Sequence, residues 1–421
     1  MTDTPSAALG ALQRRQQSLP VQIAGGTSVE SHSRALPGAR IAVRADLAGV
    51  EQVWRGIEPT APCSVFQNFD YLHAWFRHIG AREGVTPAVV VIRDPDRVLA
   101  LLPLAIVRER FFRRLTWLGQ ELCDYSMPLL TPEFATLSTN QFRAVWREIC
   151  TLMQSHPRFR HDWIEFRRMP ESFEETANPF QALPVARHAS DAYLTHLGKD
   201  WSDFYRARRS AKARKQDRSK LARLAEMVDV RLVTAGRPAE IAGTLDALFA
   251  QKAETLERKG IDDIFERPGY REFFLDLATN ERTRDLIHVS ALVAGSSLAA
   301  VNFGMEYRRR YSLFLISYDR SIARLSPGVI HLNKLMEHAI GRGVTGFDFL
   351  VGEQRLKLEW ADRTIVLFDY IAAATLRGHL RATPVRLLAR LKRGIKQTPA
   401  LWTAFQSLRA AVGSVRRRIG L

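Results

Sequence analysis

The residue types able to do chemistry gather between Tyr311 and Trp360. Ser326-Pro327-Gly328 introduces a stretch with helical spacing from Val329 to Arg342. Proline presets the first helical φ, and Gly328 lets another group approach the backbone closely. The open N–H groups and positive dipole end of such a helix start suit a phosphate or pyrophosphate. Further on, Gly346 to Leu350 reads as a strand, in which Asp348 faces opposite to Phe347 and Phe349. A carboxylate in mid-strand is costly to bury unpaired. Either a cation holds Asp348, with Lys357 and Arg355 nearest in sequence, or it lines a cleft and accepts protons as a general base. Lys357 suits a phosphate or a polarised carbonyl, or else a solvated surface. His331 and His338 share a helix face, but no third ligand has matching spacing, so no metal is expected and His331 is read as solvent-facing.

The elements that must position these groups follow from periodicity. A strand at Val230 to Val233 precedes helices at Ala239 to Arg258 and Tyr270 to Thr279. Three strands then run Ile287 to Val293, Ser297 to Met305 and Tyr311 to Ser317, with turns at Ala294-Gly295 and Arg308 to Arg310. The helix from Val329 and strands at Gly346 to Leu350 and Thr364 to Ala372 complete this half. The first half has the same grammar: strands at Ile41 to Arg44, Ala88 to Ile92, Val98 to Val107, Leu115 to Leu118 and Trp163 to Phe166. Its helices are expected at Leu47 to Gly56, Asn68 to Ile79 and Gln141 to Gln154.

From Leu313 to Trp360 the sequence resembles the CelD/BcsL-type acetyltransferases of the GNAT superfamily, relatives of the tandem Fem-type transferases. The matching residues are Tyr311-x-Leu-x-Leu-x-Ser-Tyr-Asp319, Ser326-Pro327-Gly328, Gly343, Phe347-Asp348-Phe349-Leu350, Gly352, Lys357 and Trp360. Earlier matches are Phe66-Gln67 with Trp75, Gly119 with Cys123-Asp124-Tyr125, and Arg206, Arg209 and Arg214. The sequence departs at Leu356, where the family commonly has an aromatic residue before the lysine.

The resemblance implies an α/β (α+β) fold of two tandem GNAT-like domains, with mixed, mostly antiparallel sheets flanked by helices. It implies acyl-CoA, such as acetyl-CoA, as co-substrate, bound by Ser317, Tyr318, Ser326, Gly328, Val329 and Ile330 in a gap between diverging strands. Asp348 and Lys357 would be catalytic, and Asp124, Tyr125, Arg209 and Trp360 would meet the acceptor. The implied reaction is direct attack of an amine or hydroxyl on the thioester in a ternary complex. The implied acceptor is a sugar or polysaccharide precursor, as in cellulose or exopolysaccharide biosynthesis. Two alternatives stand beside it: a Fem-like transferase using aminoacyl-tRNA, and a non-catalytic membrane-surface scaffold with a degenerate fold. The first half lacks a Pro-Gly helix start and a Phe-Asp-Phe strand, and is expected to hold no cofactor.

The expected organisation is a disordered arm over 1–38, an N-terminal domain over 39–185, a basic linker over 186–227, a catalytic domain over 228–373 and amphipathic helices over 374–421. Composition is that of a globular protein, with 46% apolar and 25% charged residues. Cys63, Cys123 and Cys150 lack C-x-x-C spacing and read as reduced thiols. No G-x-S-x-G, Walker, G-x-G-x-x-G or H-E-x-x-H motif occurs, which leaves hydrolase, NTPase, dinucleotide and zinc-protease readings without support. The net charge of +17 is local: eleven Lys/Arg and no acid follow Asp369, and nine Lys/Arg stand against Asp217 between Phe204 and Leu224. The rest is near neutral, which argues against general nucleic-acid binding. In the tail, Leu401, Phe405, Leu408, Val412, Val415 and Ile419 form an apolar stripe ending at Arg416 to Arg418. It suits packing on the protein or an anionic membrane surface. With neither a signal peptide nor a membrane span, the expected address is cytoplasmic, with the tail peripheral on the inner membrane face.

Overall fold

A computed structural model describes residues 27–226, 229–352, 355–398, 401 and 403. It is a mixed α/β structure whose open sheets are flanked by helices. The helices form where apolar residues recur on one side and a cap closes the start. Helix Thr139–Ser155 begins with a Ser138/Gln141 capping box and buries Phe142, Val145, Trp146, Ile149, Leu152 and Met153. Helix Pro238–Arg258 buries Ile241, Leu245, Leu248 and Phe249 in the same way. Each such large side chain contributes roughly 1.5–3 kcal/mol on leaving water. No helix among the described residues is long and apolar enough to cross a membrane.

The C-terminal sheet has seven strands in the order Val230–Thr234, Ile287–Ala294, Ser297–Tyr307, Arg310–Tyr318, Gly346–Val351, Ala192–His196 and Arg363–Ile365. Its parallel pair is Arg310–Tyr318 with Gly346–Val351. The N-terminal half carries a five-stranded sheet and a six-stranded one, and the latter also contains a parallel pair, Arg113–Trp117 with Trp163–Pro170. The halves share one core. Phe66 packs on Phe314 and Tyr71 on Phe273, with ring centroids 5.6 and 5.5 Å apart.

Several expectations are corrected. Part of the arm expected to be disordered is a strand, Ser28–His32, which pairs with Arg40–Arg44. It is anchored by Ser33 and by the backbone N–H groups of Arg34 and Ala35, all donating to Glu148. Residues 1–26 lie outside the described residues. The expected strand Val98 to Val107 is two strands, because Pro103 cannot donate to a ladder. The strand expected at Thr364 to Ala372 divides: Arg363–Ile365 stays in the C-terminal sheet, but Leu367–Ala373 pairs with Trp163–Pro170. Conversely, Ala192–His196 leaves the presumed linker and joins the C-terminal sheet. Each half is thus finished by a strand from the other side of the chain. The basic linker carries two helices, Trp201–Arg208 and Ala211–Ala225, parted at Arg209 and Ser210. Of the tail, helix Gly378–Gln397 is described, while the stripe from Phe405 to Ile419 lies outside the described residues.

Candidate functional site

The parallel pair in the C-terminal sheet is brief. Arg310, Tyr311 and Ser312 face Gly346, Phe347 and Asp348, after which the two strands no longer pair. Strand Arg310–Tyr318 continues to Tyr318, whereas Gly346–Val351 bends away. Leu350 takes a left-handed φ of 59°, unusual for a branched residue, and Gly352 has φ 117°. The Asp348 carboxylate supports the bend by accepting the N–H of Leu350 at 2.8 Å. A wedge therefore opens at Asp348.

Asp348 has no exposed surface. Both its oxygens accept from the Tyr125 hydroxyl, at 2.9 and 3.0 Å, and Arg310 lies 3.5 Å away. Burial raises the carboxyl pKa, with the Arg310 charge opposing that shift. Burial likewise holds the Tyr125 phenol well above its ordinary value, and the Asp348 charge adds to this. Tyr125 comes from the other half, where Gln67 donates to its carbonyl at 2.8 Å and Phe66 and Phe173 flank its ring. Gly119 takes φ 90°, and a Cβ there would lie 2.2 Å from Cys123 Sγ, so that turn needs glycine. The first-half residues that carried the resemblance thus converge on the placement of Tyr125. Next to it, Asp124 accepts from Arg168 at 2.9 Å and from the Val351 N–H at 3.3 Å.

Lys357 joins this group from helix Arg355–Trp360. Its ammonium donates to the carbonyls of Val351 at 3.0 Å and Leu350 at 3.4 Å, and burial lowers its pKa. The cation on Asp348 is Arg310, so the ion pair weighed with Lys357 is replaced by carbonyl contacts. Sequence reasoning missed Lys252. Burial pushes its pKa down to about 8, and the charges of Lys259 and Lys357 act in the same direction. The signal was available, because Lys252 continues the buried spacing of Leu245, Leu248 and Phe249.

The helix beside the wedge starts at Pro327, before the expected Val329. Ser326 enters it with φ 56° and makes no side-chain cap. The N–H groups of Val329 and Ile330, expected as phosphate donors, instead bond the Ser326 carbonyl at 3.0 and 3.3 Å. The early start shifts the open end to Gly328. Tyr318 lies against it: a Cβ on Gly328 would stand 3.3 Å from Tyr318 Cδ1. Ser317 is buried in the strand, facing Val301.

Two expected acceptor residues lie elsewhere. Trp360 is fully buried in a stack with Trp201, Phe204 and Tyr205, and Arg209 covers its ring at 5.2 Å. Arg209 also pairs with Asp217 and Glu359 at 3.1 and 2.8 Å. Both residues dock helix Trp201–Arg208 rather than face the wedge.

His331 is likewise fully buried, not solvent-facing. His288, Glu306 and His338 bring donor atoms within 4.8 Å of one another. His288, however, already engages Thr234 and Tyr311 through its two nitrogens, and its ring stacks on that of His338 at 4.4 Å. An ion would have to break those contacts. Burial pushes the pKa of His161 down to about 4 and those of His288 and His331 to about 3. These groups are neutral when folded but take up protons below about 6.5 when unfolded, so stability falls as pH drops from about 6.5 and is unaffected above it. Each contributes a slope of roughly 1.4 kcal/mol per pH unit in that window. Melting temperature should fall steeply from pH 6 to 4, and less steeply in His331→Gln. Equal acid slopes for the two proteins would refute the assignment to His331.

Residues 211–358 match the profile of an acetyltransferase (GNAT) domain. No curated protein matches the sequence. Among solved structures, the chain is similar to FemX, at 9% identity and TM-score 0.52, over 81% of this chain and 97% of that one. It is also similar to L-PGS from Bacillus licheniformis, at 11% identity and TM-score 0.47, over 81% of this chain and 96% of that one. A tandem GNAT protein from the clavulanic acid biosynthesis pathway shares 14% identity at TM-score 0.44, over 80% of this chain and 98% of that one. The chain thus shares its overall fold with FemX, and its residues 211–358 are similar to an acetyltransferase (GNAT) domain.

Proposed function

We propose that the protein transfers an acyl group from acyl-CoA to an amine or hydroxyl of a sugar-related acceptor. The observation that carries this reading is the wedge opening at Ser312 and Asp348, with the start of helix Pro327–Gly341 beside it. In this account the pantetheine arm lies between the diverging strands. The pyrophosphate meets the Gly328 end of the helix, where N–H and dipole favour an anion. The acceptor nitrogen or oxygen attacks the thioester carbonyl, the C–S bond breaks, and CoA leaves as thiolate. The proton of the attacking amine or hydroxyl passes to the Tyr125 oxygen as Tyr125 gives its own to Asp348, along the hydrogen bond between them. A carboxyl raised by burial suits that task better than an ordinary one. Lys357 and Arg310 are cations of the site and Asp124 its second acid. The sugar-related acceptor rests on the resemblance of Leu313 to Trp360 to the cellulose and exopolysaccharide type.

The reading is tested by a melting-temperature titration with acetyl-CoA, longer acyl-CoAs and tRNA. A ligand at about a hundred times its Kd stabilises the fold by roughly 2.7 kcal/mol. An acyl-CoA should raise the melting temperature and tRNA should not. The reverse result would favour an aminoacyl-tRNA donor held by the basic helix Ala211–Ala225, and no shift with any ligand a scaffold.

A further inference from the structure

Helix Gly378–Gln397 has two apolar faces. One docks on the protein: Ala382, Val385 and Ala389 pack with Trp163, Ile371 and Phe112. Gly378 fits so closely that a Cβ there would lie 1.8 Å from the Asp162 carbonyl oxygen. At 3.6 residues per turn, Leu380, Leu387 and Leu391 fall on the opposite side. They are 74%, 58% and 60% exposed. Leu376, just before the helix, and Phe111, on the neighbouring hairpin, are exposed as well. Arg377 joins the two places by donating to the Phe111 carbonyl. Helical spacing sets Arg381 and Lys392 along one flank of the leucine stripe, and Arg386 and Arg390 along the other.

We infer that this outer face, with Phe111 and Leu376, is a docking surface for an anionic lipid bilayer. A helix lying in the headgroup region needs an apolar stripe flanked by cations on both sides, and this one has it while its reverse face is already seated. No acidic residue follows Asp369, and the acids that face the helix from the body, Glu109 and Asp162, pair with Arg381 at 3.4 Å and Arg377 at 3.3 Å, so the attraction rests mainly on Arg386, Arg390 and Lys392. A second copy of the chain fits the face poorly, since a two-fold contact would bring the same cations together. A nucleic-acid backbone would meet the cations but leave the leucines in water. The surface therefore lies on the described helix, independent of the acyl-transfer reading, and the Leu401-to-Ile419 stripe is not needed for it.

The test is sedimentation of the full chain with vesicles of equal parts phosphatidylglycerol and phosphatidylcholine, and with pure phosphatidylcholine. The protein should pellet with the mixed vesicles, much less with the neutral ones, and less as salt is added. Leu387→Glu with Leu391→Glu should weaken binding at least ten-fold while the melting temperature holds. Phe111→Ser, on a separate element, should weaken it without touching the helix. Arg386→Gln with Arg390→Gln should reduce binding to the anionic vesicles only. Absence of wild-type binding, or equal binding by the leucine and Phe111 variants, would overturn the inference. So would a wild-type dimer in sedimentation velocity that the leucine variant converts to monomer, which would make the face a contact between copies.

Discussion

Asp348→Asn should keep the fold and the affinity for acyl-CoA while turnover falls by about 10²- to 10⁴-fold. The amide oxygen can still accept from Tyr125 or from the Leu350 N–H, so the contacts that shape the wedge are largely retained. What is lost is the ability to hold a proton. The same substitution discriminates against a purely structural role, because Asp348 also joins the two halves through Tyr125 and sits near Arg310. If it were only a brace, the variant would melt earlier and show normal turnover per folded molecule. Tyr125→Phe supplies the companion measurement. It removes the hydroxyl from the relay, leaves Arg310 in place, and should also lower turnover at unchanged acyl-CoA affinity.

Gly328→Val should weaken acetyl-CoA binding by about ten-fold or more, equivalent to roughly 1.4 kcal/mol. A branched side chain there stands between the open helix end and whatever approaches it. Its Cβ would already press on Tyr318 at 3.3 Å, and the additional methyls would displace that ring. The position is half-buried and at the start of the helix, with neighbouring Pro327 fixing the backbone, so the fold itself should tolerate the change. The effect should be on affinity, with turnover at saturating donor largely preserved.

Most of the C-terminal sheet was legible because its strands alternate cleanly and its turns are marked. The lone acid between two phenylalanines marked Asp348, whereas the divergence of the strands beside it was implied only by the resemblance. What the sequence concealed was long-range pairing. Ala192–His196 and Arg363–Ile365 pair across 169 residues or more, and nothing local in either says which sheet it completes. The same holds for Tyr125: it was named for the acceptor, but its bond to Asp348, 223 residues away, depends on how the halves close. Trp360 and Arg209 were assigned to the acceptor on the resemblance alone, and nothing local showed that Trp201, Phe204 and Tyr205 stack on Trp360 while Arg209 covers its ring. Lys252 went unnoticed because lysines on helices are usually solvated. Its place on the buried stripe was the countersignal.

Calorimetric titration of acetyl-CoA into the full wild-type chain and into Gly328→Val tests the central claim most directly. The account predicts saturable one-to-one binding by the wild type and at least about ten-fold weaker binding by the variant, with both proteins melting at similar temperatures. Equal affinities in two folded proteins, or no heat of binding with the wild type, would contradict it.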